Sequence, residues 1–286
     1  MAQNNTTTSA GMELLAGIQK KLAEQKGFFA LAFTDLQTGE EILWNSNESF
    51  HAASTMKMPV MIEVYKQVAA GKLSLDALVP VKNEFKSIAD SSSYTLNPAD
   101  DSQQTLYTQV GTSLPLSKLV YEMIIMSSNL ATNLIIEMVD GKKVTQTMRD
   151  LGAKNIQIRR GVEDGKAFAQ GLNNTVTAYD LMLIYKKMAE GKIVNRKVCD
   201  EMIKTLLDQK HNTLIPAFLP KEVKVAHKTG SITGVHHDSG IVFLPDGRKY
   251  VLVILSKNLE DEPTATPAMA RVSEMIYQYM MSRAIK

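Results

Sequence analysis

Where the two hydrophobic periods fall along this chain limits its fold more than any other feature. Apolar residues alternate with strand spacing only near the two ends, and helical spacing fills the long middle. Residues 28–33 and 41–44 read as two strands joined by a turn through Thr38-Gly39. Strand character returns at 223–229, 239–244 and 249–255, with Pro245-Asp246-Gly247 as a tight hairpin between the last two. Residues 12–26 set Leu14, Leu15, Ile18 and Leu22 on one helical face before Gly27. Residues 268–284 repeat that spacing with Met269, Val272, Ile276 and Met280. Between the strand regions, 54–70 (closed by Gly71), 116–126, 130–139 and 177–190 read as helices. The expected fold is α+β, in an α/β two-lobe arrangement. An antiparallel β-sheet is flanked by N- and C-terminal helices and interrupted by an all-α lobe. The expected boundaries are a flexible N-terminal segment 1–10, an α/β lobe from 11–51 plus 196–286, and an all-α lobe 52–195. The polar stretch 87–113 is expected as one long loop.

Charge and cysteine content exclude several classes of function. The 32 basic and 30 acidic residues nearly balance, so there is no basic stripe for a nucleic acid. No apolar run approaches the length of a membrane span. Cys199 is the only cysteine, which rules out an internal disulfide and a thiolate metal cluster. It sits in a helical stretch from Arg196 to Met202 and reads as an inert packed thiol. The polar start, Met1 to Ser9, has no basic-then-apolar leader pattern, which fits a cytosolic protein or a processed form.

Three short motifs carry chemistry. Ser54-Thr55-Met56-Lys57 opens an apolar helix, and a spacing of three puts both side chains on one face. A serine hydroxyl needs a neighbouring base, and a desolvated lysine is one. Pro59 is tolerated if the helix begins near Ser54. Ser127-Ser128-Asn129 falls at a break between two apolar helices, and Lys228-Thr229-Gly230 ends a strand just before Ser231. There a strand edge offers hydrogen-bonding groups to an extended substrate, and glycine allows close backbone approach. Alone, each motif is better explained as a capping serine, a polar turn or a strand end. Their order and their contexts together are what carry weight.

In this order the three motifs resemble those of the penicillin-recognising serine enzymes, and by length and lobe order the class A β-lactamases. The resemblance implies a β-lactamase / D,D-peptidase-like fold with the site in the cleft between lobes, and no metal or organic cofactor. It implies that Ser54 is the nucleophile, that Lys57 activates it, and that Ser127 passes a proton to the leaving nitrogen. Asn129 would hold the substrate's amide side chain, Lys228 and Thr229 its carboxylate, and Gly230 the close approach of the strand edge. The backbone N–H groups of Ser54 and Ser231 would form the oxyanion hole. Glu163, in Arg160-Gly161-Val162-Glu163-Asp164, lies where such enzymes carry the base that activates water; a solvated loop carboxylate and Asp164 remain alternatives. Asn133 matches a structural asparagine. The implied substrate is a small β-lactam, met by a monomer in the periplasm or outside the cell.

The chain also departs from that pattern. Ser128 stands where class A has Asp, Ala167 where it has a water-holding Asn, and the stretch from Glu163 to Asn174 is about two residues short. No arginine matches the usual carboxylate anchor. Arg248 lies past the hairpin, leaving Ser231, Thr233 or His236 as substitutes. These departures leave room for a serine esterase, a D,D-peptidase or a penicillin-sensing domain. His236-His237-Asp238 does not read as a metal site, because adjacent strand residues face opposite ways.

Overall fold

The two ends of the chain meet in one sheet. A computed structural model describes residues 7–283. Helix α1 (Ser9–Ala23) leads into strands β1 (Phe28–Asp35), β2 (Glu41–Trp44) and the short β3 (Phe50–His51). After a 3₁₀ turn, Ala53–Met56, helix α2 (Lys57–Ala69) begins. Four short strands follow: β4 (Leu78–Pro80), β5 (Phe85–Lys86), β6 (Ser93–Tyr94) and β7 (Ser113–Pro115). Then come α3 (Leu116–Ile125), α4 (Asn129–Val139), α5 (Gly141–Asp150), α6 (Gly165–Ala169), β8 (Thr175–Val176), α7 (Ala178–Ala189) and α8 (Arg196–Leu207). Strands β9 (Lys224–Ile232), β10 (Val235–Phe243) and β11 (Lys249–Lys257) precede α9 (Glu262–Ser282).

The main sheet runs β2-β1-β11-β10-β9 and is antiparallel throughout. Leu31 and Phe33 of β1 and Leu252 and Ile254 of β11 face a layer made by α1 and α9, against Ile18, Leu22, Val272 and Ile276. Their neighbours Ala30, Ala32, Val251 and Val253 face the helical body, which includes Leu181, Ile184 and Met188 of α7. A strand covered on both faces is apolar at every position, and β11 is buried from Tyr250 to Ser256 for that reason.

Some expectations need correction. Residues 7–10 are tied down: Thr8 caps α1 and bonds to Glu40, which also pairs with Arg283 near the chain's other end. Residues 1–6 lie outside the described part. The span 52–195 is mainly helical but holds four short strands and β8, and the stretch 87–113 is not one loop. Strands of two or three residues have no visible period. Helix α9 starts six residues earlier than read, capped by Asp261, and carries Pro267 inside it.

His236 and His237 take opposite faces of β10. His236 Nδ1 meets Thr266 Oγ1 at 2.9 Å on the α9 side. His237 is fully buried on the other side, where Nδ1 accepts the Ser256 N–H (3.1 Å) and Nε2 meets the His51 carbonyl (2.9 Å). A second ring proton would confront the Ser256 N–H. Burial is the main cause holding the ring's pKa down at about 4 against an ordinary 6.5. The unfolded chain binds that proton at the higher value, so stability is lost as pH falls from 6.5 towards 4, by about 3 kcal/mol at most. We expect His237→Gln to flatten this loss in urea unfolding at pH 7, 5 and 4. An unchanged slope would remove His237 from the account.

Candidate active site

The Ser54 end of the site is fixed by its neighbours in sequence. The Ala52 N–H bonds to the Asn174 carbonyl (2.8 Å), and the Ala53 N–H donates to His51 Nδ1 (3.0 Å). Ala53 has φ +43°, a left-handed value disfavoured for alanine. The His51 bond holds it there. From this kink the 3₁₀ turn carries Ser54 into the cleft and runs straight into α2. Pro59 then falls in the first turn of α2, where a missing N–H costs nothing.

Lys57 is fully buried. Its Nζ reaches the Ser127 carbonyl (2.7 Å), Ser127 Oγ (3.2 Å) and Asn129 Oδ1 (2.9 Å). Among the described residues no hydrogen bond joins it to Ser54. Burial lowers its pKa to about 7 from 10.5, against the opposing pull of Asp101 and Glu163. The neutral fraction at pH 7 thus rises from roughly one in three thousand to about one half.

Ser127 sits between two amines. Its Oγ is 3.2 Å from Lys57 Nζ and 3.0 Å from Lys228 Nζ, which also donates to the Thr229 carbonyl (2.9 Å). Ser127 takes φ +60°, strained for a residue with a Cβ. Burial, then the Lys57 charge, push Lys228 well below the ordinary lysine range.

The edge strand β9 passes directly over the Ser54 turn. A Cβ on Gly230 would lie 2.9 Å from the backbone nitrogens of both Ser54 and Thr55. Thr229, Ser231 and Thr233 line the cleft beside it. His236 faces α9 and does not line it, and Arg248 is engaged with Asp246 and the Met280 carbonyl, so neither is an anchor here.

Glu163 is exposed and stands on the far wall with φ +59°. Asn129 Nδ2 lies 3.4 Å from its Oε1. Asp164 is buried, accepting from Ser87 Oγ and the Ile88 N–H, which anchors it away from solvent. Asn133 clamps the loop: Oδ1 accepts the Val162 N–H (2.7 Å) and Nδ2 donates to the Val162 carbonyl (3.1 Å). A Cβ on Gly161 would collide with that amide at 2.1 Å. Arg160 and Asn174 close the loop's neck through Leu172, Asn173 and each other. Ala167 is buried, and exposed Phe168 faces the cleft instead, its ring 5.9 Å from His51.

These groups line one cavity of about 610 Å³. Ser54, Ser127, Asn129, Glu163, Thr229, Gly230 and Ser231 open onto it, with Lys57 and Lys228 directly behind Ser127. Sequence reading missed His51 and His211, which also line it; His211 Nε2 lies 3.3 Å from the Met126 carbonyl. Their partners are remote in the chain, and no local pattern marks them.

The arrangement is that of a serine acyl-transfer site, with an alcohol, a buried amine, a bridging hydroxyl and backbone donors in one cleft. The chain belongs to the beta-lactamase enzyme family, whose model matches residues 13–280. A beta-lactamase of Bacteroides uniformis is 25% identical over 256 residues, covering 85% of this chain and 83% of that protein. A beta-lactamase from Sphaerobacter thermophilus superposes with TM-score 0.81 at 26% identity, covering 96% of this chain and 98% of its own. A variant of PBP-A, solved as an acyl-enzyme complex with penicillin G, superposes with TM-score 0.81 at 26% identity, covering 95% and 97%.

Gly230→Ala is expected to push β9 off the Ser54 turn and slow acylation about a hundredfold, since a shift of about 1 Å at a reacting centre costs that much. Wild-type acylation in this variant, read by stopped-flow, would show that the close approach is dispensable.

Proposed function

We propose that the chain is a serine β-lactamase of the class A type, opening the β-lactam amide through an acyl-Ser54 intermediate. The observation that carries this reading is Ser127 Oγ held between two buried amines in the cleft that Ser54 also lines. Neutral Lys57 accepts the Ser54 proton as Oγ attacks the carbonyl carbon. The developing oxyanion lies against the N–H groups of Ser54 and Ser231; in comparable sites the loss of one such donor costs about 3 to 4 kcal/mol. Ser127 hands its proton to the leaving nitrogen and is reloaded from Lys57. The C–N bond breaks, but the opened ring keeps the nitrogen on the acyl group.

Deacylation needs a second base. Glu163 takes a proton from water, the hydroxyl attacks the ester, and Ser54 leaves with its proton restored. Thr229, with Lys228 behind it, receives the substrate's carboxylate, and Nδ2 of Asn129, now against Glu163, meets its amide side chain. One chain supplies every group, so a monomer suffices. No helix among the described residues is long and apolar enough to cross a membrane. The resemblance to exported enzymes supports a periplasmic or secreted location.

Intact-mass spectrometry after mixing with penicillin G tests the proposal. We expect a transient adduct of the full penicillin mass and release of the hydrolysed product. Ser54→Ala is expected to show neither. Glu163→Gln is expected to accumulate adduct, with deacylation slowed at least about a hundredfold. A stable adduct on the wild-type chain would instead indicate a sensor or peptidase. No adduct, with ester turnover kept, would indicate an esterase.

A further inference from the structure

We propose that Asp101 is a positioning residue for this reaction, holding the Ser127–Asn129 turn, and through it the Lys57 amine, from a separate loop. The inference rests on the acyl-Ser54 reading and deepens it. Asp101 lies between the 3₁₀ turns Pro98–Asp100 and Gln104–Gln109, and it is 3% exposed.

Its carboxylate is fully engaged. Oδ2 accepts the N–H groups of Asn129 and Leu130, both at 2.9 Å, and the Tyr107 hydroxyl at 2.9 Å, with Ser128 Oγ at 3.4 Å. Oδ1 accepts the Gln103 N–H at 2.9 Å. The first N–H groups of a helix have no partner within it, and those of α4 begin at Asn129. Ser128 Oγ serves the Ala131 N–H (3.2 Å), and one hydroxyl cannot also reach the two before it. Asp101 supplies what the turn's own sequence lacks, and its negative charge sits at the helix N-terminus, where it is most favourable.

Two of the three acceptors of Lys57 belong to Ser127 and the third to Asn129, which flank the serine that Asp101 fixes. The turn cannot shift without moving the amine's seat. The charge acts on the amine as well. Asp101 and Glu163 raise the proton affinity of Lys57, while Lys228 and His211 are the cationic or titratable groups that share its field. Tyr107, whose hydroxyl closes the far side of Asp101, is pushed up by burial and then by that carboxylate.

Asp101→Asn keeps the shape and removes the charge, and its amide nitrogen cannot accept from the turn. The pH profile of acylation by penicillin G separates positioning from simple stability. We expect the plateau above the acid limb to fall about ten- to a hundredfold, since a buried charged acceptor is lost. The limb itself should move to lower pH by about one unit, because one of the two groups that raise the proton affinity of Lys57 is gone. A merely destabilised enzyme loses active molecules without moving the limb. A limb left at the wild-type position overturns the proposal, whatever the plateau does. If Asp101→Asn melts below the assay temperature, Asp101→Asn with Ser128→Asp carries the same test, since it returns a carboxylate to the same turn. A limb and plateau brought back towards wild type support the proposal, and neither restored overturns it. Failure of the underlying acyl-Ser54 reading shows separately, as a wild-type chain that takes no penicillin adduct.

Discussion

The removal of one amine from water governs this structure. Lys57 lies on a helix with its Nζ sealed against a turn from another helix pair, and among the described residues only that turn accepts its protons. An isolated ammonium in such a place is costly, and the amine responds by giving up its charge near neutral pH. A second buried amine, Lys228, sits across the Ser127 hydroxyl and makes two simultaneous charges still less favourable. Burial thus lowers the proton affinity of both amines, and the Ser127 hydroxyl lies between them.

The scaffold exists to keep that arrangement closed. Strands from the two chain ends complete one sheet, and its edge strand β9 presses on the Ser54 turn with only Gly230 between them. Ala53, Ser127 and Glu163 all hold left-handed backbone around the cleft. Each such conformation is unfavourable for a residue with a Cβ by about 1 to 3 kcal/mol, and the hydrogen bonds around it offset that cost. His51, Asn133 and Asp101 supply those bonds at three separate walls. Hydrogen bonds that hold strained backbone in place give rigid positioning, which acyl transfer rewards.

Much of this was legible in the residues. The strands at both ends and the main helices show in their hydrophobic periods, because those elements are long enough to have one. Of the motif residues, 57, 127 and 228 are joined by hydrogen bonds, and Ser54 and Ser127 line the same cleft. What escaped sequence reading was contact between distant positions: Asp101 with Asn129, His51 with His237, His211 with Met126. The suggested role for His236 failed on a contact with a distant helix: its ring turns to Thr266 of α9 and does not line the cleft that Thr229 and Ser231 line. Asp164, the alternative base, also lines the cleft but is buried with its carboxylate accepting from Ser87 and Ile88, a contact between loops more than seventy residues apart.

The account stands on the charge state of one side chain. Selective carbon-13 labelling of lysine allows the ε-carbon of Lys57 to be followed by NMR through a pH titration, with Lys57→Ala assigning the signal. The account requires a midpoint near 7, with the amine half neutral at physiological pH. A midpoint close to the 10.5 of a free lysine would mean a permanently charged ammonium, and Lys57 could not then be the base.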